Sequence, residues 1–256
     1  MTWLDPIQQA LDDALKPATF FFRDDDAGWR DDCLFALLDR FNRYSVPIDL
    51  AVIPAELTPQ LANELRDRRE ASPHLLDFHQ HGWAHLNHES QGRKCEFGPA
   101  RSKSEQYIDL EVGKQKMAEL LDCSGHIFTP PWNRCSATTV ECLTELGFRV
   151  LSRDLTATPL ALNGLAQLSV NIDWFAKRKG ERVSVACLGK LIADAVVEGS
   201  NVGIMLHHAV IDDNEIERVG ELLEVLSAHT NANCLQMKTV SHGTSADVAH
   251  VAVFER

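Results

Sequence analysis

The sequence predicts a single α/β domain in which parallel strands close into a barrel with helices packed outside. Three observations carry this. Short apolar runs alternate with amphipathic helical stretches along the chain, the pattern of right-handed βαβ units. About seven such units fit into 256 residues with no linker, internal repeat or low-complexity segment between them, so residues 1–256 are read as one domain. Polar clusters recur directly after the apolar runs, at the strand ends where such barrels place their functional loops.

The elements follow in order. Thr19-Phe20-Phe21-Phe22 reads as a buried strand that stops at Arg23 and three aspartates. Leu34, Phe35, Leu37, Leu38 and Phe41 fall at helical spacing within 33–44. A strand is expected at 48–53. Thr58 then caps a helix with Pro59 at its first position, running to about residue 69. A third strand at 75–79 leads to a polar loop at 89–102 and a helix at 103–121. A fourth strand covers 126–129. Ser136 caps a helix that stops at Gly147, and 150–152 is the fifth strand. Beyond it, strands are expected at 168–172 and 202–206 and helices at 185–197 and 215–226. An alternating segment at 248–254 reads as a final strand.

Composition narrows the function classes. The chain is 45% hydrophobic, enough for a large core, and its formal net charge is −12, which disfavours nucleic acid as a partner. The closest basic run, Lys177-Arg178-Lys179 with Arg182, is interrupted by Gly180 and Glu181 and reads as a solvated loop. Seven cysteines, an odd number without a Cys-x-x-Cys pair, argue against a disulfide framework and a thiolate zinc site and for a reducing compartment. The first residues carry no basic and apolar leader, and no stretch of 18 apolar residues occurs. The expectation is a cytoplasmic protein with no membrane span.

Four histidines, His79, His81, His85 and His88, lie within ten residues. His81 and His85 are four apart, which on a helical turn puts both imidazoles on one side, a pair suited to a borderline divalent ion. Asp24, Asp25 and Asp26 follow a buried strand, and three adjacent carboxylates need a counter-charge, from a metal ion or from Arg23. Asp31 and Asp32 suit the first turn of the next helix instead. His207 and His208 end an apolar run, where either serves as a general acid or in packing. Pro130-Pro131-Trp132-Asn133-Arg134 closes the fourth strand.

Taken together, Asp25-Asp26, His81…His85, Pro130-Pro131-Trp132, Asp173-Trp174 and Leu206-His207 resemble, in order, the motifs of the polysaccharide deacetylase family, carbohydrate esterase family four. The resemblance spans residues 19–208 and implies a distorted barrel of about seven βα units. It implies that Asp25 is the general base, that Asp26, His81 and His85 hold one divalent ion, and that His207 is the general acid. Pro131, Trp132, Asn133 and Trp174 would bind substrate. Zinc is the default ion, and iron, cobalt, nickel or manganese suit the same donors. The implied reaction is metal-assisted hydrolysis of a carbon–nitrogen amide bond, deacetylating an N-acetylated sugar or small N-acyl compound.

The chain departs from the family pattern. Thr129 stands where the family carries an arginine that orients the base, which leaves Arg23 or Arg134 as substitutes. The aspartate register could be Asp24-Asp25, and His208 could replace His207. Thr129 also favours an alternative, a catalytically silent carbohydrate-binding barrel. A further alternative is a metallohydrolase of another ester, amide or cyclic amide. The 89–102 loop, with Arg93, Lys94, Cys95 and Phe97, reads as a cover for the site or as a plain connector.

Overall fold

The computed structural model describes residues 2–123, 125–178 and 180–241. The chain runs α1 (Asp5–Asp12), β1 (Ala18–Ala27), α2 (Asp31–Tyr44), β2 (Ile48–Val52), α3 (Pro59–Ala71) and β3 (Leu76–His81). It continues through α4 (Lys103–Leu121), β4 (Ile127–Thr129), α5 (Ala137–Glu145), β5 (Val150–Asp154), β6 (Ala166–Val170) and β7 (Ile172–Asp173). A small hairpin of β8 (Lys177–Arg178) and β9 (Glu181–Arg182) precedes α6 (Val185–Val197), β10 (Val202–Leu206), α7 (Asp213–Ala228) and β11 (Ala232–Cys234). The strand expected at 248–254 lies outside the described residues. No helix among the described residues is long and apolar enough to cross a membrane.

The main sheet is parallel, in the order β6-β5-β4-β3-β2-β1-β10-β7. Its two ends belong to one stretch of chain, because only Asn171 separates β6 from β7. That asparagine closes the barrel. Its backbone N–H donates to the Gly203 carbonyl at 3.0 Å, and its side chain accepts from Gly203 N at 2.8 Å and donates to the Asn201 carbonyl at 3.1 Å. With 166–173 counted as one bent strand, the architecture is the distorted seven-unit barrel that the sequence implies.

β1 is ten residues long and runs on through the acidic residues that the sequence placed beyond the strand. Pleat alternation therefore sorts them. Phe20 and Phe22 face outward into the main core with Leu34, Leu37 and Phe41 of α2. Phe21 faces the barrel interior, packed with Ile127, Val150, Leu168 and Met205. A Cβ on Gly203 would lie 2.2 Å from the Phe21 ring, so glycine is required there. Met237 and Val240, on a helical turn over 237–241, join this interior cluster and close the lower end.

The same turn meets a buried acid on β2. Asp49 is 2% exposed and accepts the Met237 N–H at 2.9 Å. Burial, then repulsion from Asp77, pushes its carboxyl up to about 8. Its folded value lies above the unfolded one, so the folded state holds the extra proton. Stability is lost as pH rises from about 4 to about 8. Asp49→Asn keeps an acceptor for Met237 and removes the titration. The variant should match the parent near pH 4 and exceed it by a few kcal/mol above pH 8, since each tenfold change in proton affinity is worth about 1.4 kcal/mol. Urea unfolding of both proteins at the two pH values measures this; a constant difference between them would refute it.

Candidate active site and metal centre

The strand ends on one face of the barrel bring Asp26, His81 and His85 together. Asp26 Oδ1 lies 3.2 Å from His81 Nε2 and 3.2 Å from His85 Nε2, and the three donor atoms all lie within 4.8 Å of one another. Asp26 has φ 72°, so the backbone leaves the extended conformation here and breaks the pleat alternation of β1. His81 ends β3, and its Nδ1 donates to the Thr129 carbonyl at 3.0 Å. This bond commits Nδ1–H to the carbonyl, so Nε2 faces Asp26 and is the nitrogen whose lone pair becomes available when the ring is neutral.

The donors fit a divalent ion. A carboxylate oxygen and two imidazole lone pairs facing one another repel unless positive charge sits between them. A tetrahedral shell with bonds of about 2.0–2.1 Å spaces its donor atoms about 3.3 Å apart, close to the two separations between Asp26 and the histidines. The electrostatics agree. Burial disfavours charge on Asp26, yet the histidines outweigh it and hold the carboxyl well below its ordinary range. Burial and His81 push His85 down to about 4, so its ring is neutral. Burial also opposes a proton on His81, but Asp26 and Asp25 raise its pKa, which marks a point that attracts positive charge.

His81 and His85 do not share a helical turn, contrary to the spacing argument. Residues 82–85 form a loop with Gly82 at φ 57° and His85 at φ 55°. A Cβ on Gly82 would lie 2.1 Å from Glu96 Oε2 and 2.6 Å from Pro131 Cγ, so the loop folds tightly onto both. Glu96 is the brace. It is fully buried and accepts backbone N–H groups from Trp83 at 3.1 Å, Ala84 at 2.8 Å and Leu86 at 3.4 Å. The 89–102 loop thus anchors the ligand loop rather than hanging free beside it. Glu96→Ala orphans these donors, at about 1–3 kcal/mol each. It should weaken metal binding about 10–100-fold, with Glu96→Gln intermediate. Calorimetric zinc titration checks this; unchanged affinity in both variants would rule out the brace.

Asp25 stands beside the three donors, held by Arg23. Two residues apart on one strand, they share a face. Arg23 Nε and Nη2 donate to the two Asp25 oxygens at 2.7 and 2.9 Å. The guanidinium also donates to Ser152 Oγ at 2.8 Å and to Asn133 Oδ1 at 2.8 Å. Burial acts to raise the Asp25 carboxyl, but Arg23, then His81 and His207, outweigh it and hold it below its usual value. Arg134 points elsewhere, donating to the Lys94 carbonyl at 2.9 Å. Thr129 is fully buried and bonded to His79 Nε2 at 2.9 Å, which leaves no space for an arginine at that position.

The two late histidines separate cleanly. His208 is buried, with Nδ1 2.6 Å from Asp24 Oδ2 and Nε2 2.6 Å from the Trp29 carbonyl. Both ring nitrogens face acceptors. Burial opposes its charge, but Asp24 and Trp29 push it up to about 9. His208 and Asp24 therefore form an internal ion pair that pins β1 to the segment after β10. His207 faces the opening, its side chain 29% exposed and its Nε2 4.0 Å from Asp25 Oδ2.

The residues expected to bind substrate divide. Trp132 is half-buried at the opening, its ring 4.4 Å from that of His85. Pro131 and Asn133 are buried; Pro131 backs Gly82, and Asn133 holds Arg23. Trp174 is misplaced by the sequence reading. It is 2% exposed, packed against Trp3 and bonded through Nε1–H to Glu215 at 2.7 Å, so it belongs to the core. Its neighbour Phe175 is the aromatic that approaches His207, at 6.3 Å between ring centroids. Sequence reasoning also passed over Trp29, whose ring lies 4.9 Å from His85 on the β1 side, and over Glu96.

No family model matches the sequence, and no curated protein matches it. Solved structures do. A Mycobacterium smegmatis protein assigned as a polysaccharide deacetylase aligns with TM-score 0.70 at 16% identity, over 91% of each chain. A Clostridium thermocellum family 4 acetyl xylan esterase, in complex with a cobalt ion, aligns with TM-score 0.55 at 13% identity over 86% of this chain and 89% of its own. A carbohydrate esterase family 4 pseudoenzyme from Bacillus anthracis aligns with TM-score 0.57 at 9% identity over 88% of this chain and 66% of its own. The chain therefore has the fold of the polysaccharide deacetylases of carbohydrate esterase family 4.

Proposed function

We propose that the protein is a metal-dependent hydrolase of carbon–nitrogen amide bonds, removing an acetyl or other small acyl group from an N-acylated sugar or similar compound. The observation that carries this reading is the convergence of Asp26, His81 and His85 on one point, with a second, separately held carboxylate beside it. A divalent ion held there, zinc by the character of the donors, supplies Lewis acidity to the acyl carbonyl and to water. Asp25 takes the water's proton. Arg23 keeps it ionised and occupies both its oxygens from one side, which fixes the direction of the remaining lone pairs. His207, facing the opening, protonates the departing amine, since an amide nitrogen leaves poorly without a proton. Trp29 and Trp132 flank His85 and form apolar walls against which a sugar ring can lie.

A silent carbohydrate-binding barrel is the second reading, favoured by Thr129 and by the existence of a pseudoenzyme with this fold. Arg23 weighs against it, because it already holds Asp25 as a motif arginine would. The deciding experiment measures acetate release from a panel of N-acetylated sugars and amines by zinc- and cobalt-loaded protein. Turnover is expected, with Asp25→Asn retaining the metal and losing about 10²–10⁴ in kcat. Metal and ligand bound without any turnover would establish the silent barrel instead.

A further inference from the structure

The opening is bounded on the Trp132 side by a cationic rim. Arg93 and Lys94, on the 89–102 loop, stand beside Arg134 in a chain of net charge −12. Lys94 Nζ lies 5.8 Å from the centre of the Trp132 ring, which itself contacts the His85 ring, so the ammonium is one aromatic ring away from a metal ligand. Arg134 donates to the Lys94 carbonyl at 2.9 Å, and the Cys95 thiol donates back to the Arg134 carbonyl at 3.4 Å. Ser136 N donates to the Phe97 carbonyl at 2.9 Å, so the two cationic segments are stitched side by side. Their relative position is thus set by one backbone–backbone bond and two side-chain-to-backbone bonds.

The cations of this chain divide into those with an internal counter-charge and those without. Elsewhere Arg40, Arg68, Arg101 and Arg182 each pair with a carboxylate. Among the described residues, no ion pair neutralises Arg93, Lys94 or Arg134. Burial and the neighbouring Arg93 charge both press the Arg134 pKa down, against smaller opposing effects of Cys95 and Asp154. Like charges crowded beside a cleft, in a protein with acids to spare, form a ready counter-site for an anion brought by a ligand.

We propose that the site takes an N-acyl compound bearing an anionic group, a carboxylate or a phosphate, which Arg93, Lys94 and Arg134 hold at the Trp132 rim while the acyl group faces Asp26, His81 and His85. The inference rests on the amide-hydrolase reading for the acyl end and on the rim alone for the anionic end.

The test titrates N-acetylglucosamine, its 6-phosphate and N-acetylmuramic acid into the zinc-loaded full chain, followed by calorimetry at low and high ionic strength, with acetate release measured in parallel. At least one anionic compound should bind about 10-fold or more tightly than the neutral one, by a margin that shrinks with salt. Which of the two binds distinguishes phosphate from carboxylate. The margin should fall towards one in a Lys94→Glu/Arg134→Glu double variant, and in Lys94→Gln/Arg134→Gln should charge reversal disturb the loop. Zinc content and far-UV circular dichroism establish that each variant keeps its fold. Equal binding of neutral and anionic compounds, a margin that survives both double variants, or no binding of any of them would overturn the proposal. Acetate released equally from all three would sink the anionic rim and leave the hydrolase standing. An anion preference without acetate release would do the reverse.

Discussion

Purified protein is expected to carry about one divalent ion per chain, and both Asp26→Asn and His81→Ala are expected to lose it. Each variant removes one of three donors that face a common point. The loss should exceed the 10–100-fold typical of outer-shell changes, because a donor itself is gone. Below its raised pKa His81 must give up a proton to donate its Nε2 lone pair, so binding at acidic pH should release one. Elemental analysis and calorimetry in two buffers of different ionisation heat measure both effects. His208→Ala is the informative comparison. It breaks a buried pair with Asp24 outside the donor set, so it should lower stability while the remaining folded protein still takes up the ion. Metal retained in His81→Ala at parental affinity would remove the basis of the proposed chemistry.

The second large effect is expected at Arg23. Arg23→Met leaves the Asp25 carboxylate buried without its partner, together with Ser152 and Asn133, which lose their shared donor. Removing one member of a buried pair costs about 3–5 kcal/mol, so the midpoint of unfolding should drop sharply. Activity should fall about 10²–10⁴-fold in kcat, the range for a lost general base, with a much smaller change in KM. Arg23→Lys separates the two contributions. The ammonium restores charge but cannot fork across both oxygens, so stability should recover more than turnover. Equal recovery of both, or a purely KM effect, would show that Arg23 serves the fold and not the orientation of Asp25.

Much of this was legible in the chain. Alternating apolar and amphipathic segments required buried parallel strands wrapped by helices, and the barrel bears this out. The capping residues Thr58 and Ser136 each accept the backbone N–H three residues on, because a short polar side chain before a helix has that bond available locally. The i,i+2 spacing of Arg23 and Asp25 was also readable, and it would have named the arginine had β1 been extended through the acidic residues. Apolarity alone marked the end of that strand too early. The run Arg23-Asp24-Asp25-Asp26 pairs as β-structure because each side chain finds an internal partner, in Asn133, His208, Arg23 and the histidines.

What sequence by itself determined is therefore the periodic framework and the strand ends at which polar residues gather, since both depend on local backbone geometry and hydrophobic repeat. Only the tertiary structure decided which of those residues meet. Trp174 turns into the core because Glu215, 41 residues later, takes its N–H. Glu96 steadies the His81–His85 loop from across a connection whose sequence carries no local sign of it. His208 and His207 are neighbours in the chain yet part company, one sealed against Asp24 and the other open to the cleft. These outcomes depend on desolvation and on partners distant in sequence. They follow from the closed barrel that brings such groups within hydrogen-bond reach, and no local pattern encodes them.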